Sequence, residues 1–219
     1  MQNDPPLSLR LTKIEYASAD TNFYTFADPE RTGLPPAEAG AHISLELANG
    51  LSRQYSLVHP GDALREYVIG VKRDPQSRGG SSFIHEKLRV GDMIQVAKPL
   101  NNFPLEENTE NSMLFAGGIG VTPISCMAER LAQLGKRPKI YAAFRSRDDV
   151  LLADELARHG DLTLHVDQEA GTVLPIARYI AESPRDAHFY CCGPKPMIEA
   201  FLAAAAADAN TCSRSRCSS

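Results

Sequence analysis

The sequence predicts two domains in series: a small antiparallel β-barrel, then an α/β domain built on a parallel sheet. Three observations carry this. The chain has 219 residues, more than one typical domain and suited to two of about 100–120 residues each. Its first hundred residues alternate apolar and polar side chains in short runs cut by turn residues, the period-2 signature of strands. From about residue 112, strand-like runs alternate with helical periodicity, which implies a parallel sheet with right-handed crossovers. The expected division is 1–105 for the barrel, 106–207 for the α/β domain, and a disordered tail over 208–219.

In the first half, Leu7-Ser-Leu-Arg-Leu11 alternates cleanly, and in His42–Leu47 the residues Ile43, Leu45 and Leu47 share a face. Further strands are expected at Gln54–Val58, Glu66–Val71 and Met93–Ala97. Breakers separate them at Asp28-Pro29, Pro35-Pro36, Asn49-Gly50, Pro60-Gly61-Asp62 and Gly91-Asp92; Asn49-Gly50 is the strongest hairpin signal. One short helical patch lies at Ser82–Leu88. The polar stretch Asn102–Asn111 reads as the linker. The second half opens with strand Ser112–Ala116, a glycine turn, and a helix whose Ile124, Met127, Ala128 and Leu131 fall on one face. Strand Lys139–Phe144, helix Asp149–Arg158, strand Leu162–Val166, helix Val173–Ala181, strand His188–Cys192 and helix Pro196–Ala206 follow.

Composition excludes several classes. With 23 Lys+Arg against 27 Asp+Glu, the net charge is −4, so there is no basic field to hold a nucleic-acid backbone. No apolar run is long enough for a membrane span, and the N-terminus lacks a signal-peptide core; a soluble, cytoplasmic protein is expected. The six histidines and five cysteines form no H-x-x-x-H or C-x-x-C pair, so no metal site is expected. Cys126, Cys191 and Cys192 sit in apolar stretches and read as buried free thiols.

Four strings could carry chemistry. Ala116-Gly-Gly-Ile-Gly-Val-Thr-Pro123 joins a strand to a helix: Gly117, Gly118 and Gly120 let a ligand approach the backbone, and the helix start, with Thr122 and Pro123, offers free N–H groups to a pyrophosphate. Its spacing departs from G-x-G-x-x-G. Tyr190-Cys-Cys-Gly-Pro194 ends the last strand, so Cys192, Gly193 and Pro194 should line the same crevice, at the carboxyl ends of the strands. Arg53-Gln-Tyr-Ser56 sets a cation, a flat aromatic and a hydroxyl on alternating strand positions. Val71-Lys72 leads into a basic, glycine-rich loop in which Gly79, Gly80, Ser81 and Ser82, at a helix start, make a second anion cradle.

Together and in this order, these strings resemble the ferredoxin–NADP reductase superfamily, in the branch of phthalate dioxygenase reductase and the vanillate O-demethylase reductase subunit. Arg53–Leu57 resembles its flavin motif, Tyr67–Asp74 with Ser77–Ser81 its FMN-phosphate loop, Asn101–Leu105 its domain-joining segment, and Leu114–Pro123 with Phe189–Pro194 its nicotinamide half. The resemblance covers roughly residues 7–202. It implies a Greek-key flavin-binding barrel followed by a nucleotide-binding domain, with FMN (FAD is less favoured) and NADH as cofactors. By this resemblance Ser56 faces flavin N5, Tyr55 and Gln54 lie at the ring, Arg53 with Val71, Lys72 and the 79–82 loop holds the phosphate, and Thr122 and Cys192 flank the nicotinamide. Arg145, Ser146, Asp167 and Met197 complete the expected nucleotide contacts.

The implied function is an NADH-dependent flavin reductase component of an oxygenase system, working as a monomer, that takes hydride onto bound FMN and passes single electrons to an iron–sulfur protein. The partner would be a ferredoxin or a Rieske-type oxygenase component, with neither nucleic acid nor membrane. The alternatives are a non-catalytic flavin- or nucleotide-binding remnant and a free flavin reductase. The branch continues into a plant-type ferredoxin domain, whereas this sequence stops at 219. Cys212 and Cys217 have the C-x4-C spacing that opens a plant-type cluster site, but the other ligands are missing, so no 2Fe-2S cluster is expected in this chain.

Overall fold

A computed structural model of the chain describes residues 5–75, 79–207 and 215–218. They divide after Pro104 into two compact units.

The first unit is an antiparallel sheet of β1 (Leu7–Ser18), β2 (Thr21–Ala27), β3 (His42–Glu46), β4 (Ser52–Ser56), β5 (Glu66–Lys72) and β6 (Met93–Val96), in the order β4-β3-β6-β1-β2-β5. The two outer strands meet where Leu57 bridges Ile69 and the Val58 amide donates to the Val68 carbonyl at 3.0 Å, which closes the sheet into the expected barrel and removes its open edges. Leu9, Leu11, Tyr24, Phe26, Ile43, Leu45, Leu57, Ile69 and Val96 fill it. Strand β2, Thr-Asn-Phe-Tyr-Thr-Phe-Ala, escapes the alternation criterion because Tyr24, Thr25 and Phe26 are buried in succession. Helix α1 spans Gly80–Lys87.

The second unit is a parallel sheet of β7 (Ser112–Gly117), β8 (Lys139–Phe144), β9 (Asp161–Val166), β10 (His188–Cys192) and β11 (Ser215–Ser218), in the order β11-β10-β7-β8-β9. Central strand β7 is buried throughout, as a parallel strand covered on both faces must be. Helix α2 (Val121–Gln133) buries Ile124, Met127, Ala128 and Leu131, the face its periodicity predicts. The other helices are α3 (Ala153–His159), α4 (Asp167–Ala170), α5 (Ile176–Ala181) and α6 (Lys195–Ala207). No helix of the described residues is long and apolar enough to cross a membrane.

Some expectations need correction. The helix expected over Asp149–Arg158 is a single turn at Arg147–Asp149 and then α3, separated by Leu152 in the left-handed region at φ 55°. The helix expected from Val173 begins only at Ile176, after Pro175, because a proline disfavours helical backbone in the residue before it. Ser215–Ser218, within the tail expected to be disordered, pairs with β10 from Phe189↔Ser215 to Cys192↔Ser218, as the exposed edge of a parallel sheet invites; Cys212 lies outside the described residues.

The stretch taken for a linker, Asn102–Asn111, is fastened from Glu106, and the residues just before it are tied to the barrel. Leu100 and His42 exchange backbone hydrogen bonds of 3.0 and 2.9 Å, and Asn101 Nδ2 donates to the Ala39 carbonyl at 3.1 Å. From Leu105 onward the chain belongs to the α/β unit. The Glu106 amide donates to Tyr190 Oη at 2.8 Å, Arg130 forks onto Glu107 at 2.7 and 2.9 Å, and Lys136 Nζ donates to the carbonyls of Glu107 and Thr109, both at 2.7 Å.

Candidate functional sites, one on each unit

On the barrel, β4 runs beside β3 with Ile43 opposite Tyr55, Leu45 opposite Arg53 and His42 opposite Ser56. Residues directly opposite share a face of the sheet. Arg53 and Tyr55 therefore follow the core residues Leu45 and Ile43, while Gln54 and Ser56 follow Ser44 and His42 on the other side. This corrects the expectation that cation, ring and hydroxyl occupy alternating positions: Ser56 is the next residue after Tyr55 and faces oppositely. Gln54 is exposed, and Tyr55 is half-buried against the core, where burial pushes its phenol up to about 12.

The structure brings Arg53 to the start of α1. A Cβ on Gly80 would lie 2.7 Å from Arg53 Cγ and 2.9 Å from Cδ, so a side chain there would push the arginine stem from its place along the helix N-terminus. That N-terminus has no side-chain cap, and Gly79 enters it at φ 84° with open space where a Cβ would stand. Uncapped N–H groups beside a guanidinium are suited to a phosphate. Ser81 Oγ accepts from the Asp74 amide at 3.1 Å, which draws the loop against the helix. Two other cations of the loop are engaged: Lys72 pairs with Asp20 at 3.2 Å and Arg73 with Glu86 at 2.7 Å. Ser77 and Arg78, also quoted in the phosphate-loop motif, lie outside the described residues.

Two histidines escape sequence reasoning because neither belongs to a motif. His85 of α1 has Nε2 2.9 Å from the Val71 carbonyl and Nδ1 3.5 Å from Asn22 Nδ2, with its ring edge-on to Tyr24, and so locks α1 onto β5 and β2. His42, across from Ser56, has a buried Nε2 with no hydrogen-bond partner, and burial lowers its pKa.

On the α/β unit, the turns that follow β7 and β10 press together as the topology predicts. A Cβ on Gly117 would stand 2.5 Å from Met197 Sδ and 2.7 Å from Pro194 Cδ, and one on Gly120 2.8 Å from the Gly193 amide nitrogen. The packing of the two turns thus excludes a side chain at Gly117 and Gly120 and crowds Gly193. Gly118 differs: at φ 53°, it has nothing within 4 Å of a Cβ, and it alone of these glycines borders open space. Thr122 is buried and its hydroxyl donates to the Ile119 carbonyl at 3.1 Å, which braces the glycine turn. Pro123 is buried in the first turn of α2, and Cys192 is 7% exposed.

At the carboxyl end of β8, Arg145 is exposed, Ser146 Oγ donates to Asp149 Oδ2 at 2.6 Å, and Arg147 forks onto Glu169 at 2.9 and 2.5 Å. Asp167 Oδ1 is buried, 3.4 Å from His165 Nε2, but that nitrogen donates to the Thr172 carbonyl at 2.8 Å and leaves the carboxylate oxygen without a hydrogen bond. The described residues contain no metal-ligating cluster.

A closed antiparallel barrel with an anion cradle, followed by a parallel unit with glycine turns at its carboxyl ends, defines the class of two-domain pyridine-nucleotide oxidoreductases of ferredoxin reductase type. Residues 114–202 match the oxidoreductase NAD-binding domain family. The chain is 46% identical over 200 residues to phenoxybenzoate dioxygenase subunit beta of Ectopseudomonas oleovorans, covering 91% of this chain and 63% of that protein. It is 45% identical over 169 residues to a vanillate O-demethylase oxidoreductase of Pseudomonas sp., covering 74% and 52%. Among solved structures, phthalate dioxygenase reductase superposes with a TM-score of 0.89 at 31% identity, over 99% of this chain and 68% of that one; it is described as a modular structure for electron transfer from pyridine nucleotides to 2Fe-2S. The chain belongs to this family, the phthalate dioxygenase reductase branch of the ferredoxin–NADP reductase superfamily, and spans less than two thirds of the curated relatives it matches.

Proposed function

We propose that this chain is the NADH-oxidising flavin reductase module of an oxygenase system, delivering single electrons to an iron–sulfur protein. The observation that carries the reading is a pair of separate glycine-lined sites that would cradle nucleotides: Arg53 beside Gly80 at the start of α1, which has no side-chain cap, and the joined glycine turns after β7 and β10. Bound flavin supplies the step between a two-electron hydride donor and one-electron acceptors. Everything else falls to the chain's own residues. Arg53, Gly79, Gly80, Ser81 and Ser82 would hold a flavin phosphate, with the stem of Arg53 fixed by Gly80. Tyr55 would give a ring a flat apolar contact, and Ser56 a hydroxyl at the strand end; because they face opposite ways, one planar ring would have to cross the end of β4 to meet both. On the other unit the N–H groups around Gly118 would take the pyrophosphate, with Cys192, Pro194 and Met197 as the far wall.

FMN is proposed over FAD because the 72–82 segment, with glycines and hydroxyls at a helix start that has no side-chain cap, could terminate a ligand at its first phosphate. NADH is proposed over NADPH because carboxylates crowd the end of β8. Acid extraction of the purified protein should release FMN, and anaerobic NADH should bleach its visible band. An FAD peak would refute the first assignment, and bound flavin indifferent to NADH would refute the reductase.

A further inference from the structure

In open α/β folds, the residues just beyond the strand that follows the glycine turn and its helix meet the adenosine ribose, and their charge decides between a 2′-hydroxyl and a 2′-phosphate. Here that strand is β8, and its end carries Arg145, Ser146 and Arg147. This is a set of donors suited to a phosphate, at odds with a preference for NADH. The structure resolves the conflict. The proton of Ser146 Oγ is directed at Asp149 at 2.6 Å, and Arg147 gives Nε and Nη2 to the two oxygens of Glu169 at 2.9 and 2.5 Å. The Gln168 amide donates to the Arg145 carbonyl at 3.1 Å, which ties the β8 loop to α4 and keeps Glu169 in reach. Arg145 is exposed and has no ion pair among the described residues. Two arginines thus stand with four carboxylates, Asp148, Asp149, Asp167 and Glu169.

We infer that Glu169 is a specificity-determining residue which disfavours NADPH by engaging Arg147 and so withholding that guanidinium from a 2′-phosphate. This rests on the proposed binding of NADH to the α/β unit. The side chains of Arg147 and Glu169 are 61% and 51% exposed, so separating them alters the charge available to a ligand while leaving the core intact. In Glu169→Gln, Arg147 keeps a neutral neighbour of the same shape and regains a net charge for an incoming anion.

The test compares the flavin-loaded wild type with Glu169→Gln. Calorimetric titration with 5′-AMP and adenosine 2′,5′-bisphosphate reads discrimination at the ribose without turnover, and kcat/KM for both dinucleotides reads it in turnover. Glu169→Gln should improve bisphosphate affinity relative to 5′-AMP by about tenfold, the size of one added charge-assisted contact. It should raise kcat/KM for NADPH similarly and leave that for NADH within about threefold. Adding Arg147→Ala in the same chain should cancel the gain. An unchanged ratio in Glu169→Gln, or a gain that survives Arg147→Ala, overturns the inference while wild-type binding of 5′-AMP leaves the reductase reading standing. A wild type that binds neither NADH nor 5′-AMP overturns both.

Discussion

A methyl group on Gly120 would stand 2.8 Å from the Gly193 amide nitrogen and closer still to the Cys192 carbonyl, backbone atoms that cannot swing aside. Gly120→Ala should therefore lower stability by about 1–3 kcal/mol, the usual cost of overpacking, read as a fall in the melting temperature. Gly118→Ala has no such clash, although its positive φ will cost something. The sequence singles out both glycines for ligand approach, but only contacts across the fold separate the one that packs from the one that borders open space. Ser56 is the residue where function and stability should part. Its hydroxyl would matter as charge shifts during hydride transfer, so Ser56→Ala should slow flavin reduction roughly ten- to a thousandfold with the flavin still bound. Stopped-flow reduction by NADH checks this, and an unchanged rate at full occupancy would place the hydroxyl elsewhere.

Among the elements, the apolar face of α2 is legible in the sequence, because a helix that packs against a sheet must repeat its apolar residues every three to four positions. The segment after Pro104 was not. Its polarity suggests a solvated linker, but Glu107 and Thr109 offer carbonyls to Lys136, and the Glu107 carboxylate takes both arms of Arg130. Lys136 is only 18% exposed, so Lys136→Met should destabilise the α/β unit by about 1.5–3 kcal/mol, the range for hydrogen bonds to charged groups. Denaturant unfolding followed by near-ultraviolet circular dichroism, which reads the Tyr141–Tyr179 stack at 4.1 Å, should show the shift. An unmoved midpoint would mean the segment is held without Lys136.

For the molecule as a whole, burial sets a pH window. It raises the phenols of Tyr24, Tyr67, Tyr141 and Tyr190, and takes Tyr55 to about 12. A raised native pKa means that the unfolded chain loses its proton first, so this stability is whole below pH 10 and drains as pH climbs toward 12. On the acid side, burial lowers His42 from 6.5, so its contribution starts to be lost as pH falls below that value. Glu107, held low chiefly by its hydrogen bonds from Arg130, adds a further loss below 4.5. Melting temperature against pH should form a plateau between about 6.5 and 10 with the alkaline fall matching phenolate absorbance near 295 nm. A melting temperature flat to pH 12 would contradict it.

The sequence by itself determined the two-unit architecture, most of the element types and the short motifs, because periodicity and turn chemistry are local properties. Ile43 with Leu45, and Ile124 with Leu131, announce their faces without knowledge of any partner. Tertiary structure alone decided what those motif residues touch. Arg53 lies along Gly80, Arg147 is held by Glu169, Ser56 faces away from Tyr55, and His42 and His85 enter from outside every motif. The reason is physical: each of these facts depends on strand register and on which loops end at the same edge of a sheet, and neither is encoded in the spacing of a single segment.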